Sequence, residues 1–493
     1  MTDEAGREGE GAVAGGHAAS AAEAHAPDVA ASATASTASG DATQAETEAR
    51  RLRLRRLKIH EWRNVLPGSE LIFADEIHAL LGKNGSGKTS LLRLISMCLR
   101  SNFAEAASET FHVEYDLEWG DHRLSVDLAN QPGELAEADV LLAARRLPAH
   151  GRMTRSGFRF RTALMSPGVD LLTAEGTPTS LLLNGHPLAR ESATNPFEYR
   201  FLAALAAQIL GLGAGEETTT ERWYDLVSWG SPLLHIWDRS WSAGIHRFDE
   251  ANGLLDAMDG TVTTRGECPA LRWRILLSPK PGLSGTWIAR GIREAVLLPD
   301  IRSSLAPTEI RLTHDDLSPL LRFSDLAGFS SAAMILSLQG KEQQRDDSEA
   351  YLFGNCKFLI TLKNGNIITH DKLSFGQRRL LAFLYYAACN PDVLIADELT
   401  NGLHHEWIAA CADELMKRQS FVATQNPLLL DYLPIETVQD AETAFIQCRL
   451  VEKDGKEWMH WRNTSPEEAS RFWESYESGV QYISEILRTE GLW

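Results

Sequence analysis

The sequence has little cysteine: its six cysteines are scattered along 493 residues and include no Cys-x-x-Cys pair. This spacing excludes a disulfide-stapled scaffold and is not typical of a zinc site, so we expect reduced thiols that are partly buried. No basic N-terminal segment leads into an apolar run, and no uncharged apolar stretch approaches the ~20 residues of a membrane span. We therefore expect a cytoplasmic protein with no membrane partner.

The sequence also lacks an excess of positive charge. Its 48 Lys and Arg residues stand against 67 Asp and Glu residues and leave a formal net charge of −19. This acidic balance argues mildly against broad affinity for nucleic acid. Residues 130–360 lack sustained heptads, which excludes a long coiled-coil arm in that part of the chain.

The first 50 residues have a composition of their own. They contain 17 alanines and carry 9 acidic against 2 basic residues, with almost no large apolar side chain. Such a segment cannot bury enough surface to order itself, so we predict a disordered tail at residues 1–50. An alanine-rich helix is the alternative, but scattered Gly, Ser and Thr and a missing apolar stripe disfavour it.

A glycine-rich loop lies between a predicted strand at Ile77–Leu81 and a predicted helix over residues 88–99. The loop has the pattern G-x-x-x-x-G-K-T, in the strand–loop–helix context that this phosphate-binding motif requires. Its backbone N–H groups would close around phosphate oxygens, while Lys88 reaches the outer phosphates and the Thr89 hydroxyl binds Mg²⁺. The predicted nucleotide site consists of Gly82, Lys83, Asn84, Gly85, Ser86, Gly87, Lys88, Thr89 and Ser90.

A second cluster follows far along the chain. Residues 373–377 open a predicted helix that runs to about residue 388, and residues 393–396 form an apolar strand that ends in Asp397 and Glu398. In P-loop enzymes an apolar strand that ends in aspartate holds Mg²⁺, and the next carboxylate is placed to orient an attacking water. Many strands end in acids, so this pattern is weak alone, but the glycine-rich loop needs such a partner.

These stretches together resemble ABC-type ATPases, in the branch of RecF and the structural-maintenance-of-chromosomes (SMC) proteins. Residues 373–379, Leu-Ser-Phe-Gly-Gln-Arg-Arg, resemble the signature sequence of that branch. Residues 396–404 resemble its Walker B and D-loop, and residues 421–427 resemble its switch segment. The motifs also occur in the order that the branch shows.

The resemblance implies an α/β fold, a P-loop ABC-like head with a mostly parallel sheet that a long inserted mixed α/β lobe divides. A C-terminal hairpin and helix follow the head. No acidic cluster after them resembles the nuclease domain of the overcoming-lysogenisation-defect relatives, so any cutting would need another chain. The predicted boundaries are 51–129 and 361–440 for the two parts of the head, 130–360 for the lobe and 441–493 for the C-terminal part.

The resemblance also implies how the site works. In this branch the signature of one subunit contacts the terminal phosphate held by the loop of another, so ATP joins two copies in a homodimer or higher oligomer. Ser374, Gly376 and Gln377 would make these contacts, at a helix start that favours an anion. A plain N-cap role for Ser374 is compatible with this. Thr89 and Asp397 would hold Mg²⁺.

Two positions depart from the usual pattern of the branch. Phe375 replaces a small residue in the signature, and Gln425 stands where a histidine senses the terminal phosphate. A glutamine amide can hydrogen-bond a phosphate but carries no positive charge, so we expect slow turnover, with Glu398 and Gln425 as catalytic residues. No glutamine loop is evident between Thr89 and the strands predicted around residues 111–126.

Three further segments have two interpretations each. Residues 51–59 alternate basic and apolar residues and predict an edge strand, whose basic face meets either solvent or nucleic acid. Trp62 either stacks on adenine, as an aromatic residue of relatives does, or lies in the core. Six arginines between Arg145 and Arg161 form either a nucleic-acid contact or a solvated hairpin.

The C-terminal part begins with a predicted hairpin, in which residues 445–451 and 457–461 flank an Asp-Gly turn. A capping box at Ser465 then starts the last predicted helix. Its apolar stripe, which has helical spacing, consists of Phe472, Tyr476, Val480, Ile483 and Leu487.

Together these features predict a Mg²⁺-dependent ATPase that dimerises around ATP and acts on nucleic acid, or in genome defence, with a separate effector protein. The alternative is a nucleotide-controlled switch that binds a protein partner, with slow ATPase activity and no nucleic-acid role. ATP turnover stimulated by DNA would favour the first function. Turnover indifferent to DNA, with a co-purifying protein, would favour the second.

Overall fold

The computed structural model describes the chain in four groups of residues. All of them belong to one compact unit, Ala49–Trp493. The predicted tail and the arginines from 145 to 155 lie outside the described residues. The four groups are 51–131 apart from six positions between 101 and 108; 159–187 apart from short gaps; 247–248, 273–276, 282–285, 289 and 292; and 308–493 apart from 344–348.

Among the described residues, the largest sheet is antiparallel and has eight strands. Its strands are β1 (Leu52–Trp62), β2 (Ser69–Ile72), β4 (Phe111–Trp119), β5 (His122–Asn130), β6 (Arg159–Ser166), β7 (Val169–Gly176), β8 (Leu181–Leu183) and β9 (His186–Pro187), in the order β2-β1-β4-β5-β6-β7-β8-β9. The prediction that β1 is an edge strand is wrong, because the chain turns back after Trp62 and pairs the short β2 along its outer side. The predicted boundary at residue 130 falls inside this sheet, since β5 pairs with β6.

A second sheet is mostly parallel and holds both motif clusters. Its strands are β3 (Ile77–Leu81), β16 (Val393–Asp397), β17 (Gln419–Ala423), β18 (Phe445–Lys453) and β19 (Lys456–Asn463), in the order β16-β17-β3-β18-β19. Only β19 runs antiparallel to its neighbour. Because β3 lies between β17 and β18, the two predicted parts of the head share one sheet. The predicted hairpin is confirmed as β18 and β19.

A third sheet is antiparallel and belongs mainly to the predicted lobe. Its strands are β10 (Trp273–Leu276), β11 (Gly282–Gly285), β12 (Glu309–Thr313), β13 (Ser331–Gln343), β14 (Glu349–Thr361) and β15 (Ile367–Thr369). They follow the order β11-β10-β14-β13-β12, and β15 pairs with the C-terminal end of β14, residues 359–361. The β14–β15 pair crosses residue 360, so that predicted boundary also falls inside a sheet. The sheet predicted to be mostly parallel is therefore present, but two antiparallel sheets accompany it.

Among the described residues, no helix has both the length and the apolar character needed to cross a membrane. The helices are α1 (Lys88–Arg100), α2 (Ser318–Ala327), α3 (Phe375–Cys389), α4 (His405–Met416), α5 (Pro427–Leu430), α6 (Val438–Ala444), α7 (Pro466–Glu477) and α8 (Ile483–Thr489). The prediction of one continuous last helix is wrong. Gly479 has φ +66° and ends the helical path after α7, so Val480 is 82% exposed between α7 and α8.

The mostly parallel sheet separates two hydrophobic clusters, because successive side chains of a strand point to opposite faces. Leu80 and Ile395 face one cluster, which also contains the buried side of α1 and of the eight-stranded sheet. Leu81 and Leu394 face the other, which contains α3 and α4. The glycine-rich loop and the Asp397 turn therefore begin from strands that are packed on both faces. All five described cysteines are buried thiols, as expected.

Candidate functional site

The glycine-rich loop connects β3 to α1, and its glycines are required by its packing as well as by its backbone. Gly82 and Gly87 have φ of +148° and +87°, in the region where an L side chain is strained. A Cβ at Gly82 would overlap the Cys448 carbonyl. A Cβ at Gly87 would overlap Met459 and come within 3.0 Å of Trp461.

The β18–β19 hairpin supports this loop. Trp461 is fully buried, and its Nε1 donates a hydrogen bond to the Ser86 carbonyl at 3.1 Å. Met459, on the same strand, lines the cleft beside the loop. Sequence analysis missed this contact, since no pattern within the hairpin indicates it. The pairing of β18 with β3 brings the hairpin to the loop.

Lys88 and Thr89 begin α1 and face the cleft. Lys88 is 8% exposed, and its Nζ donates to the carbonyls of Gly82 at 2.7 Å and Lys83 at 3.2 Å. Thr89 Oγ1 donates to Asp397 Oδ2 at 2.6 Å. Two motif clusters that lie far apart in the sequence therefore meet through their side chains.

The other side of the cleft is the turn that follows β16. Asp397 ends the strand and Glu398 begins the turn, while Gln425 follows the neighbouring strand β17. Gln425 Nε2 donates to Asn84 Oδ1 at 2.9 Å and to Glu398 Oε1 at 3.0 Å. Because parallel strands bring their carboxyl ends to one sheet edge, Gln425 joins the glycine-rich loop to the carboxylate turn.

These side chains line a cleft of about 510 Å³. The predicted site residues in its lining are Asn84, Gly85, Gly87, Lys88, Thr89, Ser90, Asp397, Glu398 and Gln425. Gly82, Lys83 and Ser86 lie behind it and supply the carbonyls that accept hydrogen bonds from Lys88 and Trp461. The structure thus brings every predicted residue of this loop to one place.

Arg63 and Asn64, which follow β1, also line the cleft and were missed by sequence analysis. Arg63 has φ +47°, and its guanidinium donates two hydrogen bonds to the Glu109 carboxylate, both 2.7 Å long. The only sequence signal is the Trp-Arg-Asn that ends the first strand. The pairing of β1 with β4 is what places this cation at the cleft.

Trp62 is a core residue, so of its two interpretations the one in which it stacks on adenine is wrong. Its ring is 1% exposed and packs edge-on against Phe111, with 5.7 Å between ring centroids. The strand pairing of β1 with β4 places Trp62 directly opposite Phe111, inside the hydrophobic cluster that contains α1. The alternative interpretation, a buried Trp in a first strand, is confirmed.

The signature residues lie at the start of α3 and do not line the cleft described above. Ser374 and Gln377 form a capping box, in which Gln377 N–H donates to Ser374 Oγ at 3.3 Å and Ser374 N–H donates to Gln377 Oε1 at 2.9 Å. Gly376 is buried against the Gly402 carbonyl, whereas Phe375 is 59% exposed. The N-cap role is confirmed, and the contact with a second copy stays a prediction.

The arginines of β1 are paired with carboxylates, most of them in the same sheet. Arg55 donates to both oxygens of Glu118, at 2.9 and 2.5 Å, and Arg56 pairs with Glu70 at 2.5 Å. Partial burial alone would lower the pKa of Arg55, but its hydrogen bonds to Glu118 and Asp75 outweigh this and raise the pKa above its ordinary value. This face of the sheet is therefore largely neutralised from within.

The donor set of the cleft fits Mg²⁺ and a nucleotide phosphate. Mg²⁺ prefers oxygen ligands and takes one or two carboxylates together with water and phosphate oxygens. The Thr89 hydroxyl and the Asp397 carboxylate provide such oxygens at one point. Lys88 and the N–H groups at the start of α1 provide positive potential next to them.

Residues 288–431 match a family model described as "AAA domain, putative AbiEii toxin, Type IV TA system". This span contains the signature, Asp397, Glu398 and Gln425, and it begins after the glycine-rich loop. A search of curated protein sequences finds no match.

Among solved structures, the chain is similar to an SMC head domain from Thermotoga maritima, with 12% identity and a TM-score of 0.33 over 84% of this chain and 99% of that chain. It is also similar to an Smc head with an extended coiled coil, bound to the C-terminal domain of ScpA, from Pyrococcus furiosus. There the identity is 11% and the TM-score 0.31, over 86% of this chain and 100% of that chain.

Proposed function

We propose that this chain is a P-loop ATPase of the ABC- and SMC-like type, which binds Mg·ATP in the cleft between the glycine-rich loop and the Asp397 turn and hydrolyses it. The observation that carries the proposal is the 2.6 Å contact of Thr89 with Asp397, beside the Gln425–Glu398 hydrogen bond. The Thr89 hydroxyl and the Asp397 carboxylate, which would bind the metal ion, then lie next to the Glu398 carboxylate, which would orient the attacking water.

Five residues of the cleft have roles in this proposal. Lys88 provides positive charge for the outer phosphates, and Thr89 and Asp397 hold the metal ion, whose charge offsets that of the phosphates when it is bound. Glu398 orients the attacking water and accepts its proton. Gln425 fixes Glu398 and donates to a phosphate oxygen, but as a neutral amide it stabilises developing negative charge less than a protonated histidine would.

We also propose that ATP joins two copies of the chain. Ser374 is exposed at the start of α3, outside its own cleft, where its hydroxyl and the free N–H groups of the helix can meet a phosphate held by another copy. The exposed ring of Phe375 lies beside it and would be covered in such a pair. Packing within a single chain already requires glycine at position 376, since a Cβ there would lie 2.5 Å from the Gly402 carbonyl oxygen.

The test is the pair Glu398→Gln and Lys88→Met. Loss of a general base lowers kcat by about 10²–10⁴-fold. Glu398→Gln should therefore bind ATP with near-normal affinity, hydrolyse it at this reduced rate, and accumulate as an ATP-bound dimer in light scattering. Lys88→Met should bind ATP weakly and stay monomeric. An unchanged rate in Glu398→Gln would refute its role, and no Mg-dependent ATP binding by the wild type would refute the proposal.

For the wider function we propose action on nucleic acid, or in genome defence, together with a separate effector protein. The description of the matching family model, which names a toxin of a type IV TA system, supports the defence context. ATPase assays with and without DNA or RNA, followed by a pull-down from the native cell, test this. Stimulation by nucleic acid, or capture of a nuclease or other effector, is the expected result.

A nucleotide-controlled protein switch is the second candidate. The observation that favours it is the pairing of Arg55 and Arg56 with Glu118 and Glu70, which leaves the basic face of β1 little charge for phosphates. This function predicts turnover that DNA does not change and a protein partner whose binding depends on ATP. Stimulation by DNA would exclude it.

A further inference from the structure

Arg379, on the second turn of α3, is buried against the turn that carries Glu398. Its Nε donates to the Leu399 carbonyl at 2.8 Å, and its Nη2 donates to the Glu398 carbonyl. The residue is 7% exposed and does not line the cleft. Because a guanidinium is a rigid planar fork, two such bonds fix both carbonyls relative to the helix.

Glu398 has a backbone conformation that needs such support. Its φ is +50°, and the left-handed conformation costs about 1–2 kcal/mol for a residue with a Cβ. Its N–H donates to the Ala423 carbonyl at 2.8 Å, so β17 holds one side of the residue and Arg379 holds the other. In this conformation the Glu398 carboxylate lies 3.0 Å from Gln425 Nε2, at the cleft.

We infer that Arg379 is a positioning residue for Glu398, which holds the left-handed backbone that directs the carboxylate into the cleft. The inference rests on the proposed function, in which Glu398 orients the attacking water. Without the guanidinium, both carbonyls lose their charge-assisted bonds and the backbone can relax toward an unstrained conformation. The signature helix thus supports the catalytic turn of its own chain, in addition to any contact with a second copy.

Phe248 connects this support to the predicted lobe. Its ring is fully buried, its centroid lies 5.0 Å from Arg379 Cζ, and its edge packs on Phe383 at 5.5 Å. An aromatic face over a guanidinium contributes a cation–π attraction and keeps water from the bonds that the guanidinium makes. Phe248, a residue of the predicted lobe, therefore supports the conformation of Glu398 through its contact with Arg379.

The experiment compares Arg379→Met with Arg418→Met in the full-length chain. Arg418 is a matched control, because its Nη1 also donates to two backbone carbonyls, those of Ala387 at 2.7 Å and Asn390 at 2.8 Å, and its side chain is 12% exposed. Both variants should lower Tm. Only Arg379→Met should also lower kcat, by about 10- to 100-fold, with ATP affinity near that of the wild type.

Two further variants make the test specific. Arg379→Lys, which keeps the charge but not the fork, should recover part of kcat, and it carries the test if Arg379→Met does not fold. In the Glu398→Gln background, Arg379→Met should lower kcat little further, because both changes remove the same carboxylate function. Phe248→Leu should lower kcat in the same direction but less.

Three results would overturn the inference: wild-type kcat in the Arg379 variants, equal losses of kcat in Arg379→Met and Arg418→Met, or full additivity with Glu398→Gln. Failure of the proposed function looks different. In that case the wild type does not hydrolyse ATP, or Glu398→Gln hydrolyses it normally, whatever the Arg379 variants do.

Discussion

The two sides of the cleft both use left-handed backbone, but they obtain it differently. In the glycine-rich loop the residues with positive φ are Gly82, Gly85 and Gly87. In the turn after β16 the residue is Glu398, whose Cβ makes the same conformation costly. The loop therefore carries its conformation in its own residues, whereas the turn depends on neighbours that hold it.

The neighbours differ as well. Trp461 and Met459 of the C-terminal hairpin pack on the loop, while Arg379 of the signature helix and the Ala423 carbonyl of β17 hold the turn. Substitutions of the loop glycines should therefore act through steric overlap and should lower the free energy of unfolding. Substitutions of the residues that hold the turn should misplace the Glu398 carboxylate and should lower mainly the ATPase activity.

The first prediction, with the largest expected effect, is the loss of stability in Gly87→Ala. Gly85→Ala is its control. The two glycines have nearly equal φ, +87° and +83°, but a Cβ at Gly85 meets open space while one at Gly87 overlaps Met459. We expect Gly85→Ala to lose about 1–2 kcal/mol from strain alone and Gly87→Ala to lose about 1–3 kcal/mol more from overpacking. Urea unfolding measures both. Equal losses would show that the hairpin does not restrict the loop.

The next effect tests whether the turn is strained. At a position with positive φ a glycine is easier to accommodate than an alanine, so Glu398→Gly should be more stable than Glu398→Ala by about 1 kcal/mol. Both variants should hydrolyse ATP only at the strongly reduced rate expected of Glu398→Gln. Glu474, an exposed residue within α7, is the control, because there alanine should be the more stable by about 1 kcal/mol. The same order at both positions would contradict the strained turn.

The sequence predicts the residues of the cleft well where the local pattern carries the chemistry. The glycine-rich loop and Asp397 come from a loop motif and a strand end, whose geometry follows from strand–loop–helix connectivity, whereas Gln425 comes from the resemblance of residues 421–427 to a switch segment. Trp62 was open to two interpretations because a strand pattern does not reveal which partner strand covers its ring. Arg379 lies in the recognised signature, yet its hydrogen bonds to the Glu398 turn depend on tertiary packing that no local spacing encodes.

The smallest expected effect is a loss of stability at low pH. It involves the ion pair between Arg462, on the hairpin that supports the loop, and Glu468. Arg462 donates to both oxygens of Glu468, at 2.7 and 2.6 Å, and holds the pKa of this carboxyl at about 2. A carboxyl with a lowered pKa stabilises the fold above its unfolded pKa of about 4.3, and that contribution is lost as the pH falls toward the folded value.

Glu468→Gln should therefore be less stable than the wild type at pH 7, by less than about 1 kcal/mol after solvent screening, and the gap should close between about pH 4 and pH 2. Thermal unfolding of both proteins across this range measures it. Arg379 bonds two backbone carbonyls, which do not titrate, and lysine keeps its positive charge, so a gap between Arg379→Lys and the wild type should not change over the same range. A pH-dependent gap for Arg379→Lys, or a constant one for Glu468→Gln, would mean that the two supports are not distinct.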